Sequence, residues 1–190
     1  MKESCQKNHI SLPEEFSERM KIRLGQEWEA FLEACSLPPK RGLRLNLQKA
    51  EANPDFPLEK WKENWKLEEL VKDSTREYLC DEEYLQSIGV QIGHDAYHEA
   101  GLYYIQDPSA MSVVPYMEIR PFDRCLDLCA SPGGKSLQIA DRLKTEEGGI
   151  LLSNEFIMER AKNLSKNVER MGYSHVAVSS CSAEDLEEHF

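Results

Sequence analysis

The chain has 190 residues, 41% of them hydrophobic, with a formal net charge of -11. That length allows one ordinary domain plus a smaller one, each with a packed core, and the missing long apolar run excludes a membrane-spanning helix. Six cysteines in no pairing pattern, with no apolar leader, predict a reduced cytoplasmic setting, and the net acidity taken alone runs against a nucleic-acid-binding protein.

The acid is unevenly placed. Residues 1–50 carry 9 basic and 7 acidic side chains, whereas residues 51–100 carry 5 and 13. Leu12, Pro13, Glu14 and Glu15 open a helical pattern with Phe16 and Met20 on one face. Gly25 interrupts it, Trp28, Phe31 and Leu32 continue it, and Pro38 and Pro39 end it. A short strand is predicted over Leu43–Leu47. Around it Lys40, Arg41, Arg44 and Lys49 form a basic cluster free of acid, which reads equally as a hold on RNA phosphates or as a solvated loop. Residues 48–97 are acidic and poorly periodic. Trp61 and Trp65, four apart, predict a helix anchored to a core rather than a base-stacking platform.

From residue 98 the pattern becomes regular. Asp107 caps a helix that starts at Pro108 and runs through Met111, Val114 and Met117, with Pro115 kinking or splitting it. Strand Arg124–Leu128, helix Lys135–Leu143, strand Ile150–Ser153, helix Ile157–Met171 and strand Val176–Ser179 then alternate. That alternation predicts an α/β fold with a parallel sheet and right-handed crossovers. Ile157, Ala161, Leu164, Val168 and Met171 share one helical face that reads as core, and Gly172 ends the helix. Two domains follow: residues 1–97, a smaller α+β domain with the candidate RNA-binding cluster, and residues 98–190.

Between the first parallel strand and its helix lies the segment that carries most information, Asp127-Leu128-Cys129-Ala130-Ser131-Pro132-Gly133-Gly134-Lys135-Ser136. Two adjacent glycines permit backbone angles and close approaches that a Cβ forbids, and the following helix aims free N–H groups above the turn. A phosphate-cradling Gly-x-x-x-x-Gly-Lys-Ser/Thr loop is the weaker reading because Cys129 fills its first glycine position and Pro132 stiffens the interior. A Gly-x-Gly-x-x-Gly dinucleotide turn is absent too. The turn suits a small carboxylate. Glu155 follows the glycine pair by about 20 residues, the spacing at which an acid accepts hydrogen bonds from a ribose diol. A nucleoside bearing an amino-acid carboxylate fits both ends, and S-adenosylmethionine is that molecule.

The string from Asp127 to Ser136 resembles the cofactor motif of the Sun/Fmu family of RNA (cytosine-5-)-methyltransferases, commonly Asp-x-Cys-Ala-Ala-Pro-Gly-Gly-Lys-Ser/Thr. Gly101–Met111 is similar to the segment that precedes the motif in that family, and Arg160–Gly172 to the helix after the ribose-binding acid. The resemblance is nearest to the RsmF type, which methylates cytosine C5 in bacterial 16S ribosomal RNA. It implies a partial Rossmann-like, S-adenosylmethionine-dependent sheet of three parallel strands behind the smaller α+β domain. It also implies RNA, 16S rRNA, as partner, no membrane, and a monomeric full-length enzyme.

For the site, the resemblance assigns Cys129, Ala130, Ser131, Pro132, Gly133, Gly134 and Lys135 to the methionine end and Glu155 to the ribose. Arg160 then orients Glu155 or the cofactor, or makes an ordinary surface salt bridge. Ser182 stands where the family usually places an Asp for the adenine amino group, with Glu184 nearby. Gln106 and Asp107 approach the substrate side, although a cap suffices for Asp107. Lys40, Arg41 and Arg44 are the RNA-binding candidates, Arg44 and Asn46 matching an Arg-x-Asn element of the family.

Cytosine C5 becomes nucleophilic only after a thiolate adds to C6, so this chemistry requires a positioned cysteine. The family uses one cysteine after Pro and one after Thr. Here Cys5, Cys35, Cys80, Cys125, Cys129 and Cys181 follow Ser4, Ala34, Leu79, Arg124, Leu128 and Ser180. Cys129 reads as a small residue packed under the turn, with Leu128 on a strand buried on both faces. No metal site is predicted. The expectation is an amino-terminal portion that binds cofactor and RNA without turnover, its catalytic cysteines lying beyond Phe190, and that self-associates through a bare sheet edge. The alternatives are a catalytically silent RNA-binding or regulatory protein that keeps the fold, and a P-loop nucleotide hydrolase.

Overall fold

A computed structural model describes residues 11–37, 40–53, 55–70 and 76–188. The chain forms two compact units, Met1–Pro39 and Lys40–Phe190. In the first, α1 (Glu14–Leu24) and α2 (Trp28–Cys35) flank a 3₁₀ turn over Gly25–Glu27. Glu14 and Glu15 begin α1 and Lys21 and Arg23 end it, complementing the helix dipole. Gly25, at φ +53°, breaks the helix where the sequence predicts. Pro38 and Pro39 lie outside the described residues.

The second unit holds two sheets. The first is antiparallel and comprises β1 (Lys40–Leu45), β2 (Glu68–Glu69), β3 (Glu77–Asp81) and β4 (Tyr103–Gln106) in the order β2-β3-β1-β4. Four short helices connect these strands: α3 (Leu47–Glu51), α4 (Leu58–Asn64), α5 (Glu82–Ser87) and α6 (Ala96–Glu99). Asn46, Asp81 and Asp95 cap α3, α5 and α6 with side-chain oxygens that accept backbone N–H bonds.

Strand alternation gives this sheet two characters. Leu43, Leu45, Tyr78, Cys80 and Tyr103 enter a core with Trp61, Trp65 and Leu85. Trp61 and Trp65 stack at 4.8 Å between ring centroids, the anchoring role their spacing predicts. The opposite side carries buried polar groups, Arg44, Glu77 and Gln106.

Beyond β4, α7 (Pro108–Met111) is followed by a separate 3₁₀ turn over Val114–Tyr116, so Pro115 splits the predicted helix. The second sheet is parallel, with β5 (Arg124–Asp127), β6 (Ile150–Asn154) and β7 (Val176–Ser179) in sequence order. Three helices, α8 (Gly134–Ala140), α9 (Met158–Met171) and α10 (Ala183–Glu187), alternate with these strands. Leu137, Leu143, Leu151, Leu164, Val168 and Met171 fill the core between sheet and helices. Gly172 ends α9 at φ +82°. This is the partial Rossmann-like sheet expected. No described helix is long and apolar enough to cross a membrane.

Three expectations require correction. The basic strand starts at Lys40 and ends at Leu45, because the Asn46 side chain accepts from Lys49 N–H and turns the chain into α3. Leu128 is not buried on both faces: Leu126 and Leu128 are 46% and 47% exposed, since β5 pairs only with β6 among the described residues. Ile157 leaves the core stripe, at 50% exposed, because it precedes the first turn of α9 in an extended conformation.

Candidate cofactor site

The site grows from the C-terminal ends of β5 and β6. Leaving β5, the chain is held by Asp127, whose Oδ2 accepts from the buried Ser136 Oγ at 2.7 Å and whose Oδ1 accepts from Cys129 N–H at 3.3 Å. One carboxylate thereby spans the glycine turn from end to end. Ala130 N–H donates to Asn154 O at 2.9 Å, anchoring the turn to β6. Gly133 takes φ +114°, and a Cβ there would lie 3.0 Å from Leu164 Cδ1. A Cβ on Gly134 would lie 3.1 Å from Gln106 Cδ, so Gly133 is favoured by its angle and Gly134 by a close approach of the Gln106 side chain.

Helix α9 fixes the outer side of the turn. Ser131 Oγ donates to Arg160 O at 3.0 Å, and Asn167 Nδ2 donates to Pro132 O at 2.8 Å. Arg160 Nη2 lies 3.2 Å from Ser131 O and 3.3 Å from Glu155 Oε2, linking the glycine turn to the acid that follows β6. The Glu155 side chain is only 6% exposed, and its Oε1 accepts from Ile157 N–H at 3.1 Å. Arg160 thus bridges Glu155 and the turn, with its own side chain 53% exposed.

Asn154 was not singled out by sequence. Its Nδ2 donates to Leu128 O and Cys181 O, while its Oδ1 accepts from Ser179 Oγ and Cys181 N–H, so a single amide ties together the ends of all three parallel strands. The signal available in the sequence is its position, directly before Glu155 at the end of the second parallel strand. Ser182 caps α10 in a capping box: its Oγ accepts from Asp185 N–H at 3.1 Å, and its own N–H donates to Asp185 Oδ2.

A cavity of about 270 Å³ opens between the glycine turn and the β4–α7 junction, lined by Gln106, Asp107, Asp127, Cys129, Ser131 and Lys135 among others. Cys129 is exposed on it, not packed beneath the turn, because it stands past the end of β5 on the cavity wall. Asp107 caps α7, and the Ser109 hydroxyl, with the Ala110 and Ser109 N–H groups, holds its carboxyl below the usual range.

The basic cluster divides. Lys40 pairs with Glu68 at 2.6 Å and Arg41 with Glu82 at 2.7 Å, both on the surface. Arg44 turns inward: its side chain is 1% exposed, pairs with Asp141 and reaches Gly134 O. Lys49 Nζ donates to Ala100 O and Arg170 O, while Asn46 Nδ2 donates to Gly101 O and Met171 O. The Arg-x-Asn element therefore fastens the antiparallel sheet to α8 and α9. No cluster of metal-binding side chains occurs among the described residues.

Two family models cover nearly the whole chain. The N-terminal domain of 16S rRNA methyltransferase RsmF matches residues 12–108, and 16S rRNA methyltransferase RsmB/F matches residues 114–190. Ribosomal RNA small subunit methyltransferase F of Vibrio parahaemolyticus is 31% identical over 176 residues, and its counterpart in an Enterobacter species is 32% identical over 176. In both cases the match takes in 90% of the chain and 35% of the relative, so the chain spans about a third of the length of these relatives. Among solved structures, a methyltransferase homolog from Pyrococcus horikoshii superposes with TM-score 0.74 at 20% identity, over 94% of the chain and 56% of the homolog. NSun6 from the same organism, solved with SFG, gives 0.71 at 16% identity, over 93% of the chain and 67% of NSun6. At these identities the likeness is one of fold.

Proposed function

The chain belongs to the RsmF family of 16S rRNA methyltransferases, and we propose that its residues 98–190 hold S-adenosylmethionine while residues 1–97 contribute an RNA-facing surface. The observation that carries this reading is the buried Glu155 carboxylate, linked through Arg160 to the Ser131 carbonyl of the glycine turn. A buried acid beside a glycine cradle presents acceptors to a ribose diol and room for a compact amino-acid end. The same arrangement is poor for a triphosphate, whose charge a buried carboxylate repels.

When bound, S-adenosylmethionine supplies an electrophilic methyl group. The chain's own residues bind and orient. Cys129, Ala130, Ser131, Pro132, Gly133, Gly134 and Lys135 enclose the methionine end, Glu155 accepts from the ribose, and Arg160 fixes Glu155. Ser182 and the start of α10 stand at the end of β7, toward the adenine. Lys40 and Arg41 meet RNA phosphates: their acid partners are exposed, such pairs contribute little, and a phosphate replaces them readily.

The reaction this reading assigns to the complete enzyme is methylation of cytosine C5 in ribosomal RNA. The 190-residue chain itself is inactive, because none of its six cysteines follows Pro or Thr. That same observation favours a second reading, a catalytically silent RNA-binding protein that keeps the fold.

Calorimetric titration with S-adenosylhomocysteine, alongside a thermal-shift series with ATP, tests the cofactor assignment. Binding of the first and indifference to the second is the expected result; stabilisation by ATP alone would return the P-loop reading. Methyl transfer to ribosomal RNA by the complete enzyme, absent under both readings from the 190-residue chain, separates the enzyme from the silent protein.

A further inference from the structure

At the end of β4, Gln106 is 7% exposed, and neither its Nε2 nor its Oε1 has a hydrogen-bond partner among the described residues. A buried, unpartnered carboxamide is costly, and native proteins rarely keep one without a use. Its location supplies the use. Gln106 lines the 270 Å³ cavity beside the glycine turn, and its Cδ lies 3.1 Å from where a Cβ on Gly134 would stand.

The cavity is amphoteric. Asp107 and Asp127 offer carboxylates, Lys135 offers a cation, and Gln106, whose Nε2 and Oε1 lie below the accessible surface, brings one donor group and one acceptor to the cavity by a side-chain rotation. A phosphate would meet two acids. A zwitterion has one group for each sign, and a carboxamide is complementary to both halves of an α-amino acid: Nε2 donates to the carboxylate and Oε1 accepts from the ammonium. Glu155, proposed for the ribose, is not among the residues lining the cavity, which leaves the cavity to the donor's other extremity.

We propose that Gln106 is a ligand of the α-amino-acid end of the methyl donor, binding its carboxylate and ammonium through the two ends of one carboxamide. The proposal rests on the reading of this fold as a cofactor site. It departs from the sequence expectation that Gln106 faces the RNA substrate.

The test compares two ligands on the intact chain. S-adenosylhomocysteine carries the amino-acid end and 5′-methylthioadenosine lacks it. Gln106→Leu, non-polar and of comparable volume, is expected to weaken S-adenosylhomocysteine by about 10-fold or more and leave 5′-methylthioadenosine within about 2-fold. Gln106→Glu, which sets a negative charge against the carboxylate, is expected to lose still more of the first and none of the second. It carries the test if Gln106→Leu does not fold. Equal weakening of both ligands, or of neither, overturns the proposal. So does weakened binding of a cytosine-containing single-stranded RNA with unchanged S-adenosylhomocysteine affinity, which would assign Gln106 to the substrate. Wild-type chain that binds 5′-methylthioadenosine and S-adenosylhomocysteine equally well sinks the Gln106 assignment alone, whereas wild-type chain that binds neither sinks the cofactor reading with it.

Discussion

Arg44 Nη1 lies 2.5 Å from Asp141 Oδ2, joining residues 97 apart in sequence, with the two side chains 1% and 5% exposed. Arg44 sits on β1 of the antiparallel sheet, and Asp141 closes α8, the helix that leaves the glycine turn. Tyr173 donates its hydroxyl to the second oxygen of Asp141, and Arg44 Nη2 reaches Gly134 O. The cofactor turn is therefore positioned by a strand that the sequence marks only as basic.

Removing one partner of a buried pair leaves the other uncompensated, and Arg44→Met is expected to cost about 3–5 kcal/mol. Burial pushes the Asp141 carboxyl up, and Arg44 is the main restraint on that rise. Without Arg44 the folded state binds this proton more tightly than the unfolded chain. The stability attached to it is then present below the ordinary Asp pKa and lost as pH rises through the folded one. Urea melts should show a larger deficit for Arg44→Met at pH 7 than at pH 4. A deficit that is flat with pH would mean that Asp141 is not left buried.

Gly133→Ala places a Cβ at φ +114° and 3.0 Å from Leu164 Cδ1. Left-handed backbone on a non-glycine residue costs about 1–2 kcal/mol before any crowding is added. Gly148→Ala, at φ +87° with nothing within 4 Å of its Cβ, isolates the backbone cost alone. Gly133→Ala is expected to lower Tm more than Gly148→Ala and to weaken S-adenosylhomocysteine, which Gly148→Ala should not. Equal Tm losses would indicate that Leu164 yields.

The parallel half was legible because it obeys local rules. The strand-to-Gly133 turn, the helix stop at Gly172 and the Asp107 cap each follow from chemistry within a few residues. The glycine pair and Glu155 were found by spacing, and α9 joins them through Arg160. The antiparallel sheet was poorly legible because its order, β2-β3-β1-β4, is set by contacts far apart in sequence. Lys49 is an example: on paper it belongs to a basic cluster, yet it donates to carbonyls 51 and 121 residues away. Leu128 misled for a related reason. An apolar strand residue states a preference for cover, not whether cover exists.

Glu155→Gln keeps the side-chain volume and removes the charge. A charge-assisted hydrogen bond contributes about 1.5–3 kcal/mol, so S-adenosylhomocysteine affinity should fall about 10- to 100-fold. Under the proposed positioning role, Arg160→Met, at a side chain 53% exposed, should cost less than about 5-fold. In the double variant the Arg160 effect should vanish, because nothing remains for it to orient. Calorimetric losses that simply add would instead give Arg160 its own contact.

Asp107 tests the cap at the cavity mouth. Asp107→Ala should cost about 1 kcal/mol, and Asp107→Asn, an equally good cap, much less. The Ser109 hydroxyl and two backbone N–H groups lower the Asp107 carboxyl, so its stabilisation is present above the ordinary Asp pKa and is lost as pH falls through the lowered one. The advantage of wild type over Asp107→Asn should therefore shrink in acid, below about pH 4. A difference that grows on acidification would contradict the direction of that shift.

Strand β5 pairs with β6 alone among the described residues, and on its exposed side Leu126 and Leu128 stand 46% and 47% accessible. An unpaired edge offers backbone donors and acceptors to another chain, and two exposed apolar side chains either side of Asp127 make that pairing favourable. We expect the 190-residue chain to self-associate through this edge at micromolar concentration. Light scattering should then give a mass above 21.9 kDa that rises with concentration. Leu126→Lys and Leu128→Lys place charges on the exposed side of the edge without touching the core, and should return the chain to monomer with its Tm retained. Monodisperse wild-type monomer at high concentration would show that the edge is protected. Association that survives both lysines would place the contact elsewhere, with Phe122 and Phe156, 51% and 70% exposed, the next surfaces to change.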